Sequence, residues 1–361
     1  MKKKKHFFYI SETNIPSTSA NSIHVAKMIE ASNNRDYISN LIVPYCDSIS
    51  NYKKFYNIKG QINVISIFKK KININFFYRV IFAIKILLFL KKKKNNCIVS
   101  RSLITSLILS ANKIVNVLEI HHKLNGMTNV IFKLINKKIN NYINFILIHK
   151  NLKKILNLSG KNIIVLDDAV NLDDFLSKRK VKKNDSIVYI GSFFFGKGLE
   201  LIHSIAKKRP DFKFDLYGDT TNIILSDYKL KNINFFGHIK YNKIPKILAK
   251  YDYAIMPYGK KVNVKSSNLD VSNTMSPLKM FDYLASGQVI LATDTNVYKH
   301  ILKNDYNSIL IKHDKINKWI EAIDIVKKNK PLKKKLKNNA FKTAKKFTWN
   351  SRLELIEKKF F

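Results

Sequence analysis

The sequence predicts an α/β protein made of two domains, each with a mostly parallel sheet, and three observations carry that expectation. Short β-branched runs alternate with helical patterns along the whole chain, the alternation that lays helices over both faces of a parallel sheet. At 361 residues and 42.0 kDa the chain exceeds one ordinary core, so two domains of roughly 150 to 200 residues each are expected. The stretch LDDFLSKRKVKKND, at 172–185, is charged and poor in apolar residues and reads as the linker. It sets the domains at 1–178 and 179–346, followed by a terminal segment 347–361.

HFFYIS (6–11) reads as a first strand, and the polar loop ETNIPSTSANS leads into a helix from about Ser22 to Ser32. Strand, loop and helix in that order open a nucleotide-type α/β domain. The loop lacks the usual glycines, so small residues such as Ser17 and Ser19 would have to admit a ligand. LIVP (41–44), INVISI (62–67), an apolar helix at 76–90, CIVS (97–100) with a helix after Arg101, IVNVLEIHH (114–122), FILIHK (145–150) and IIVLDDAV (163–170) continue the alternation. In the second domain SIVYIG (186–191), FKFDLYGD (212–219), INFFGHI (233–239) and YAIMPY (253–258) read as strands, with helices LELIHSIAKK (199–208) and NKIPKILAKY (242–251). A helix from Ser276, the buried strand VILAT, and helices at about 297–303, 315–328 and 331–346 close the domain. WNSRLELIEKKF (349–360) is an amphipathic helix able to cross back to the first domain.

Lys and Arg total 66 against 25 acids, a formal net charge of +41, which attracts nucleic acid, anionic membrane or acidic polysaccharide. The lysines are spread through a chain also rich in Asn, Ile, Phe and Tyr, a pattern that coding bias alone would give. Attraction to an anionic surface follows whatever the cause. Cys46 and Cys97 lie far apart without metal-ligand spacing, which excludes a disulfide framework and points to a reducing compartment. The apolar run FFYI after MKKKK is shorter than a signal-peptide core, so a cytoplasmic location is expected. Residues 76–90, FFYRVIFAIKILLFL, are broken by Arg79 and Lys85 and fall short of the ~20 residues a membrane span needs. They read as a core helix or, with KKKK at 91–94 behind them, as a helix laid on an anionic membrane.

Residues 274–294, TMSPLKMFDYLASGQVILATD, hold the densest chemistry. Ser276 suits a helix N-cap and Pro277 the first helical position. The amides of Met275, Ser276 and Leu278, with the helix dipole, offer an anion site, and Lys279 in the first turn adds positive charge. Asp282 lies too deep to be a dipole partner and suits a pair of sugar hydroxyls. A capped surface helix is the plain alternative. Gly196, Lys197 and Gly198, between a strand and a helix, form a loop whose lysine can reach a diphosphate, although such a triplet is also a common turn. Glu119 and His121 stand at the carboxyl end of a strand, where parallel sheets bind ligands.

Taken together, YIGSFFFGKG (189–198), NINFFGHIKYNKIPKILAKYDYAIMPY (232–258), SPLKMFDYLASGQVILATD (276–294) and FTWNSRLELIEKKF resemble the retaining glycosyltransferases of the GT-B fold, specifically glycosyltransferase family 4. EIHH (119–122) and IIVLDDAVNLDDF (163–175) look like the matching parts of the first domain. The resemblance covers most of the chain. It implies two Rossmann-like domains with the donor in the cleft between them, and a C-terminal helix crossing back. A nucleotide-diphosphate sugar is then the co-substrate, with no cofactor; the absence of a DxD motif agrees with metal-free chemistry. Lys197 matches the lysine on the donor diphosphate, flanked by Gly191, Ser192, Gly196 and Gly198, with Met275, Ser276, Pro277, Leu278 and Lys279 at the phosphate-binding helix end. Asp282 matches the acid on the ribose, Gly237, His238 and Ile239 the base site, and His121 a histidine near the transferred sugar. The acceptor, a glycan or lipid-linked molecule, falls to the first domain, where Ser17, Ser19, Asn21, Arg101 and Glu119 are candidates.

Three departures stand out. Asp282 is one methylene shorter than the usual glutamate, Thr274 occupies the place of the first acid of the pair, and Ser192 stands where relatives carry an arginine. The expected activity is sugar transfer in surface-polysaccharide (lipopolysaccharide, O-antigen or capsule) synthesis, at the inner face of the plasma membrane. The alternative is a catalytically degenerate protein of the same fold that binds membrane or polyanion. No aromatic array interleaves the basic runs, so specific nucleic-acid binding is not expected.

Overall fold

The computed structural model describes residues 4–35, 37–93, 96–139, 141–176, 183–221, 223–264 and 269–361. Lys94 of the basic run, 177–182 of the linker stretch and 265–268 of the polar loop therefore lie outside the described residues. The chain divides into two compact units, Met1–Asp167 with Trp349–Phe361, and Asp168–Thr348.

The first unit holds a seven-stranded sheet of β1 (His6–Ile10), β2 (Ile38–Val43), β3 (Asn63–Ser66), β4 (Asn96–Ser100), β5 (Asn116–Ile120), β6 (Ile143–Leu147) and β7 (Ile163–Val165). Its order is β3-β2-β1-β4-β5-β6-β7, with every paired neighbour parallel. Helices α1 (Ala20–Asn33), α2 (Ile49–Tyr56), α3 (Phe76–Lys91), α4 (Leu103–Ala111), α5 (Gly126–Ile139) and α6 (Asn151–Ile155) connect the strands. The terminal helix, Trp349–Phe360, belongs here because Trp349, Leu353 and Ile356 are buried and Arg352 reaches Glu119. Burial of apolar side chains on both faces of the strands is what makes their runs continuous rather than alternating.

The second unit holds β8 (Lys183–Ile190), β9 (Lys213–Tyr217), β10 (Ile233–Phe235), β11 (Tyr251–Met256), β12 (Val289–Thr293) and β13 (Ile309–Ile311), in the order β10-β9-β8-β11-β12-β13 and again parallel. Its helices are α7 (Asp173–Leu176), α8 (Leu199–Lys208), α9 (Ile244–Leu248), α10 (Leu278–Ala285), α11 (Ile316–Lys328) and α12 (Lys330–Ala344). The chain winds outward in both directions from β1/β4 in one sheet and β8/β11 in the other. Those pairs are the topological switch points, and their carboxyl ends are where ligands bind in such sheets.

The first unit ends at Asp167, earlier than the 178 read from the linker. The backbone past that point is already tied into the second unit: the amide of Val170 donates to the Phe347 carbonyl at 2.9 Å, and Phe175 is buried. Other corrections have local causes. Of IIVLDDAV only Ile163–Val165 form a strand, with Val170 making an isolated parallel bridge to Thr348. The helix expected at 242–251 is a 3₁₀ turn (Tyr241–Lys243) followed by α9. No helix forms at 297–303. Val297, Tyr298, Ile301 and Leu302 are buried at helical spacing, but Asn307 takes the Lys303 amide at 2.8 Å and donates to the Ile301 carbonyl at 2.9 Å, which ends the structure after one turn.

Candidate donor site and buried histidine cluster

At the carboxyl end of β8 the chain turns through Gly191, whose φ is 150°. A Cβ there would lie 2.4 Å from the Lys279 Nζ and 2.8 Å from its Cε, so only glycine leaves room for the lysine. The Lys279 ammonium sits 3.7 Å from the centre of the Tyr189 ring and 5.5 Å from that of Tyr258. Its Nζ is buried without a hydrogen-bond partner among the described residues. Burial, then the charge of Lys197, push its pKa well below the usual lysine value, against an opposing pull from Asp282. Lys197 lies 5.2 Å over the same Tyr258 ring, and burial lowers it to about 8. Gly198 lets the loop carrying Lys197 close onto the segment that leaves β11: its φ is 90°, and a Cβ would meet the Pro257 carbonyl oxygen at 2.0 Å. The Tyr189 hydroxyl donates to the Ser192 carbonyl at 2.7 Å and fixes the rest of the turn. Two desolvated ammonium groups on one aromatic floor repel each other, and an anion between them relieves that cost.

Helix α10 starts at Leu278 with Pro277 at its N-cap, two residues beyond the expected start at Ser276. The Ser276 hydroxyl accepts the Asp168 amide at 3.0 Å, and Pro277 at the N-cap supplies no side-chain cap. The Met275 amide is also committed, donating to the Val271 carbonyl at 2.9 Å. Leu278, one of the three residues whose amides were expected to be open, and Lys279 head the helix, where first-turn amides have no acceptor within the helix. Gly287 (φ 60°) caps the far end, as its position after the apolar stripe predicts. Asp282 is 3 % exposed and accepts the Tyr241 hydroxyl at 3.2 Å through Oδ1. Burial, then the Asp282 charge, raise the Tyr241 phenol well above its ordinary range. Thr274 is buried in the turn before the helix. Gly237 lies beyond β10, its carbonyl accepting the Gly218 amide at 2.8 Å, and His238 is exposed with Ile239 half-buried beside it. Exposed Phe236 stacks on Tyr217 at 4.7 Å.

In the first unit, Glu119 at the end of β5 gathers four polar side chains. Oε1 accepts Arg352 Nη2 at 2.7 Å and His121 Nε2 at 2.8 Å, His24 Nε2 lies 2.9 Å from the same oxygen, and the Tyr9 hydroxyl donates to Oε2. Burial alone would raise the Glu119 pKa; the Arg352 guanidinium, His24 and the hydrogen bonds hold it well below the carboxylate range. Because the carboxylate accepts from His121 Nε2, that nitrogen carries the proton and Nδ1 is left as the acceptor. Burial, then the charge of Arg101, lower His121 to about 3, so its ring is neutral at pH 7. The ligand atoms of His24, Glu119 and His121 lie within 4.8 Å of one another, a possible metal set. A cation there would compete with a guanidinium already bonded to the shared oxygen, so the cluster fits an orienting hub for His121 better than a metal centre. Ser19 caps α1 by accepting the Ser22 amide, the Tyr56 hydroxyl accepts from the Ser17 amide at 2.8 Å and donates to its carbonyl at 2.7 Å, and Asn21 donates to Thr13 at 2.8 Å. These three serve the loop itself, whereas Arg101 Nη1 is buried without a hydrogen-bond partner among the described residues. Sequence reasoning missed Arg352, Tyr241 and Tyr258. A Trp-x-x-Arg spacing in the last helix is the one signal that could have pointed to Arg352.

Residues 173–343 match the family profile Glycosyl transferases group 1. The fold is similar to a glycosyltransferase from Rickettsia africae ESF-5 at 14% identity, with 99% of this chain and 98% of that one covered and a TM-score of 0.76. It is similar to a mutant of TarM from S. aureus in complex with fondaparinux, alpha-GlcNAc-glycerol and UDP at 13% identity, 99% and 100% coverage and a TM-score of 0.73. It is also similar to WaaG, a glycosyltransferase involved in lipopolysaccharide biosynthesis, at 11% identity, 98% and 99% coverage and a TM-score of 0.65. No curated protein matches the chain by sequence. The two parallel sheets of seven and six strands thus form a GT-B-type fold, and the profile match supports a group 1 glycosyltransferase domain in the second unit.

Proposed function

We propose that the protein is a retaining glycosyltransferase that moves a sugar from a nucleotide diphosphate to a glycan or lipid-linked acceptor. The observation that carries this reading is the pair Lys197 and Lys279, two buried ammonium groups sharing the Tyr258 ring, with the Lys279 Nζ lacking a hydrogen-bond partner among the described residues. They and the head of α10 would hold the diphosphate, whose charge grows as the sugar leaves, a preorganised effect that requires no metal. Lys279 then fills the role of the arginine absent at Ser192, reaching the Gly191 turn from the helix instead of from the loop. Asp282, held by Tyr241, would meet the ribose, and Gly237 to Ile239 the base. Neutral His121, with Nδ1 as its open acceptor, would position the sugar, while the departing phosphate takes the acceptor's proton.

The TarM complex with UDP supports a nucleotide-linked donor, and WaaG supports lipopolysaccharide or related surface polysaccharide as the pathway. A lipid-linked acceptor would place the protein at the cytoplasmic face of the membrane; among the described residues no helix is long and apolar enough to cross it. Thr274 in place of an acid favours the second reading, a protein that keeps the fold and binds polyanion without turnover. Thermal denaturation across UDP-, GDP- and ADP-sugars separates the two. The transferase reading expects one of them to raise the unfolding temperature and Lys197→Ala to abolish the rise; folded protein indifferent to all of them contradicts it.

A further inference from the structure

Helix α3 takes no part in the donor chemistry. Phe82, Ala83, Ile86, Leu87 and Leu90 are its buried face. On the other side Phe77, Ile84 and Leu88 are 67, 45 and 58 % exposed, with half-buried Ile81 between them. Positions 77, 81, 84 and 88 follow helical spacing and form one continuous apolar stripe. Val130 and Leu134 on α5, beyond the α4 that packs against both helices, are exposed as well. A contiguous apolar ridge of this kind marks an interaction site.

Charge says what it meets. Lys69, Lys70 and Lys71 precede α3 and Lys91, Lys92 and Lys93 close it, all exposed, and exposed Lys85 lies along the helix. From 48 to 166 the sequence has one carboxylate, Glu119, against 22 Lys and Arg, and Glu119 is buried beneath Arg352. This span therefore presents only positive charge around an apolar stripe. The geometry points to α3 as a membrane-docking helix that lies flat in the interface of an anionic bilayer, with Phe77, Ile84 and Leu88 in the acyl boundary and the lysines at its two ends on the headgroups. Its 16 residues, about 24 Å of helix, lie along the surface and do not span it. A polynucleotide would call for basic residues interleaved with stacking aromatics, whereas this stripe is mostly aliphatic, with Arg79 paired to Glu12, Lys85 along the helix and the other charges at its two ends. The proposal uses no donor-site residue, and it deepens the transferase reading by naming where a lipid-linked acceptor would be met.

Vesicle flotation of the full chain tests it. Wild type is expected to float with vesicles of phosphatidylcholine and phosphatidylglycerol and not with phosphatidylcholine alone. The exposed double variant Phe77→Ser/Leu88→Ser should lose at least about tenfold in partitioning while its unfolding temperature and nucleotide response stay unchanged. Lys69→Gln/Lys70→Gln/Lys71→Gln should weaken binding and flatten its salt dependence. Folded wild type that ignores anionic vesicles, or a double variant that floats like wild type, overturns the proposal. So does equally tight binding of a single-stranded polynucleotide that the double variant leaves intact. Vesicle binding without any nucleotide-sugar response upholds this inference while removing the transferase reading.

Discussion

Gly191→Ala separates geometry from charge in the donor site. The new methyl would lie 2.4 Å from the Lys279 Nζ and 2.8 Å from its Cε, atoms at the far end of a flexible chain. The clash resolves by swinging the ammonium off the Tyr189 ring, so the fold bears chiefly the strain of alanine at φ 150°, about 1–2 kcal/mol. In a unit of this size that lowers the unfolding temperature by roughly 2–8 °C. Binding suffers more. Losing one charge-assisted bond to phosphate costs about 1.5–3 kcal/mol, or roughly 10- to 150-fold in Kd. Calorimetric titration with the nucleoside diphosphate that best stabilises wild type should give that loss for Gly191→Ala and for Lys279→Gln. The two together should lose no more than the larger single effect, because both remove one interaction. Wild-type affinity in Gly191→Ala, or a double variant in which the two losses add, refutes the reasoning.

Arg352→Met leaves the Glu119 carboxylate buried without its cation and should cost about 3–5 kcal/mol in urea denaturation, whereas Glu119→Gln/Arg352→Met should recover much of that. Because His121 is lowered to about 3, the pH–rate profile above pH 5 should show no ionisation that disappears in His121→Ala, while that variant loses turnover more than donor affinity. Lys197 is depressed to about 8 against 10.5 when unfolded, so its burial costs stability below pH 8 and the cost fades as pH rises from about 8 to 10.5. Stability should rise across that window relative to Lys197→Met, and a parallel pair of curves contradicts the assignment. Asp282→Ala should weaken donor binding and, by stranding the Tyr241 hydroxyl, lower stability by about 1–3 kcal/mol, whereas Tyr241→Phe should keep donor binding.

Periodicity made most of the scaffold legible. LELIHSIAKK forms α8 over Leu199–Lys208 as written, and VILAT is β12, because a strong local pattern and burial agree there. Elements with weak local signals were missed: α2 is eight residues long with only Tyr52 and Tyr56 buried, α5 exposes Val130 and Leu134 so its apolar positions do not mark one buried face, and β13 is three residues long, held by its pairing with β12. At the site, Gly196, Lys197 and Gly198 announce a tight loop by composition alone. The role of Lys279 does not, since its contact with Gly191 joins residues from different strands and helices of the sheet. Ser276 illustrates the same limit, because its hydroxyl accepts the distant amide of Asp168. Glu119 and His121 were visible as a polar pair at a strand end, but their partner Arg352 comes from the other end of the chain.

The central claim is that Lys197 and Lys279 receive a diphosphate, and proton uptake on binding tests it most directly. An anion between them favours their charged forms, so nucleoside diphosphate titrated at pH 8 in buffers of different ionisation enthalpy should draw at least about half a proton from solution, given Lys197 near 8 when free. The uptake should shrink in Lys197→Ala. Binding with no proton linkage, or no binding by the folded protein, contradicts the account.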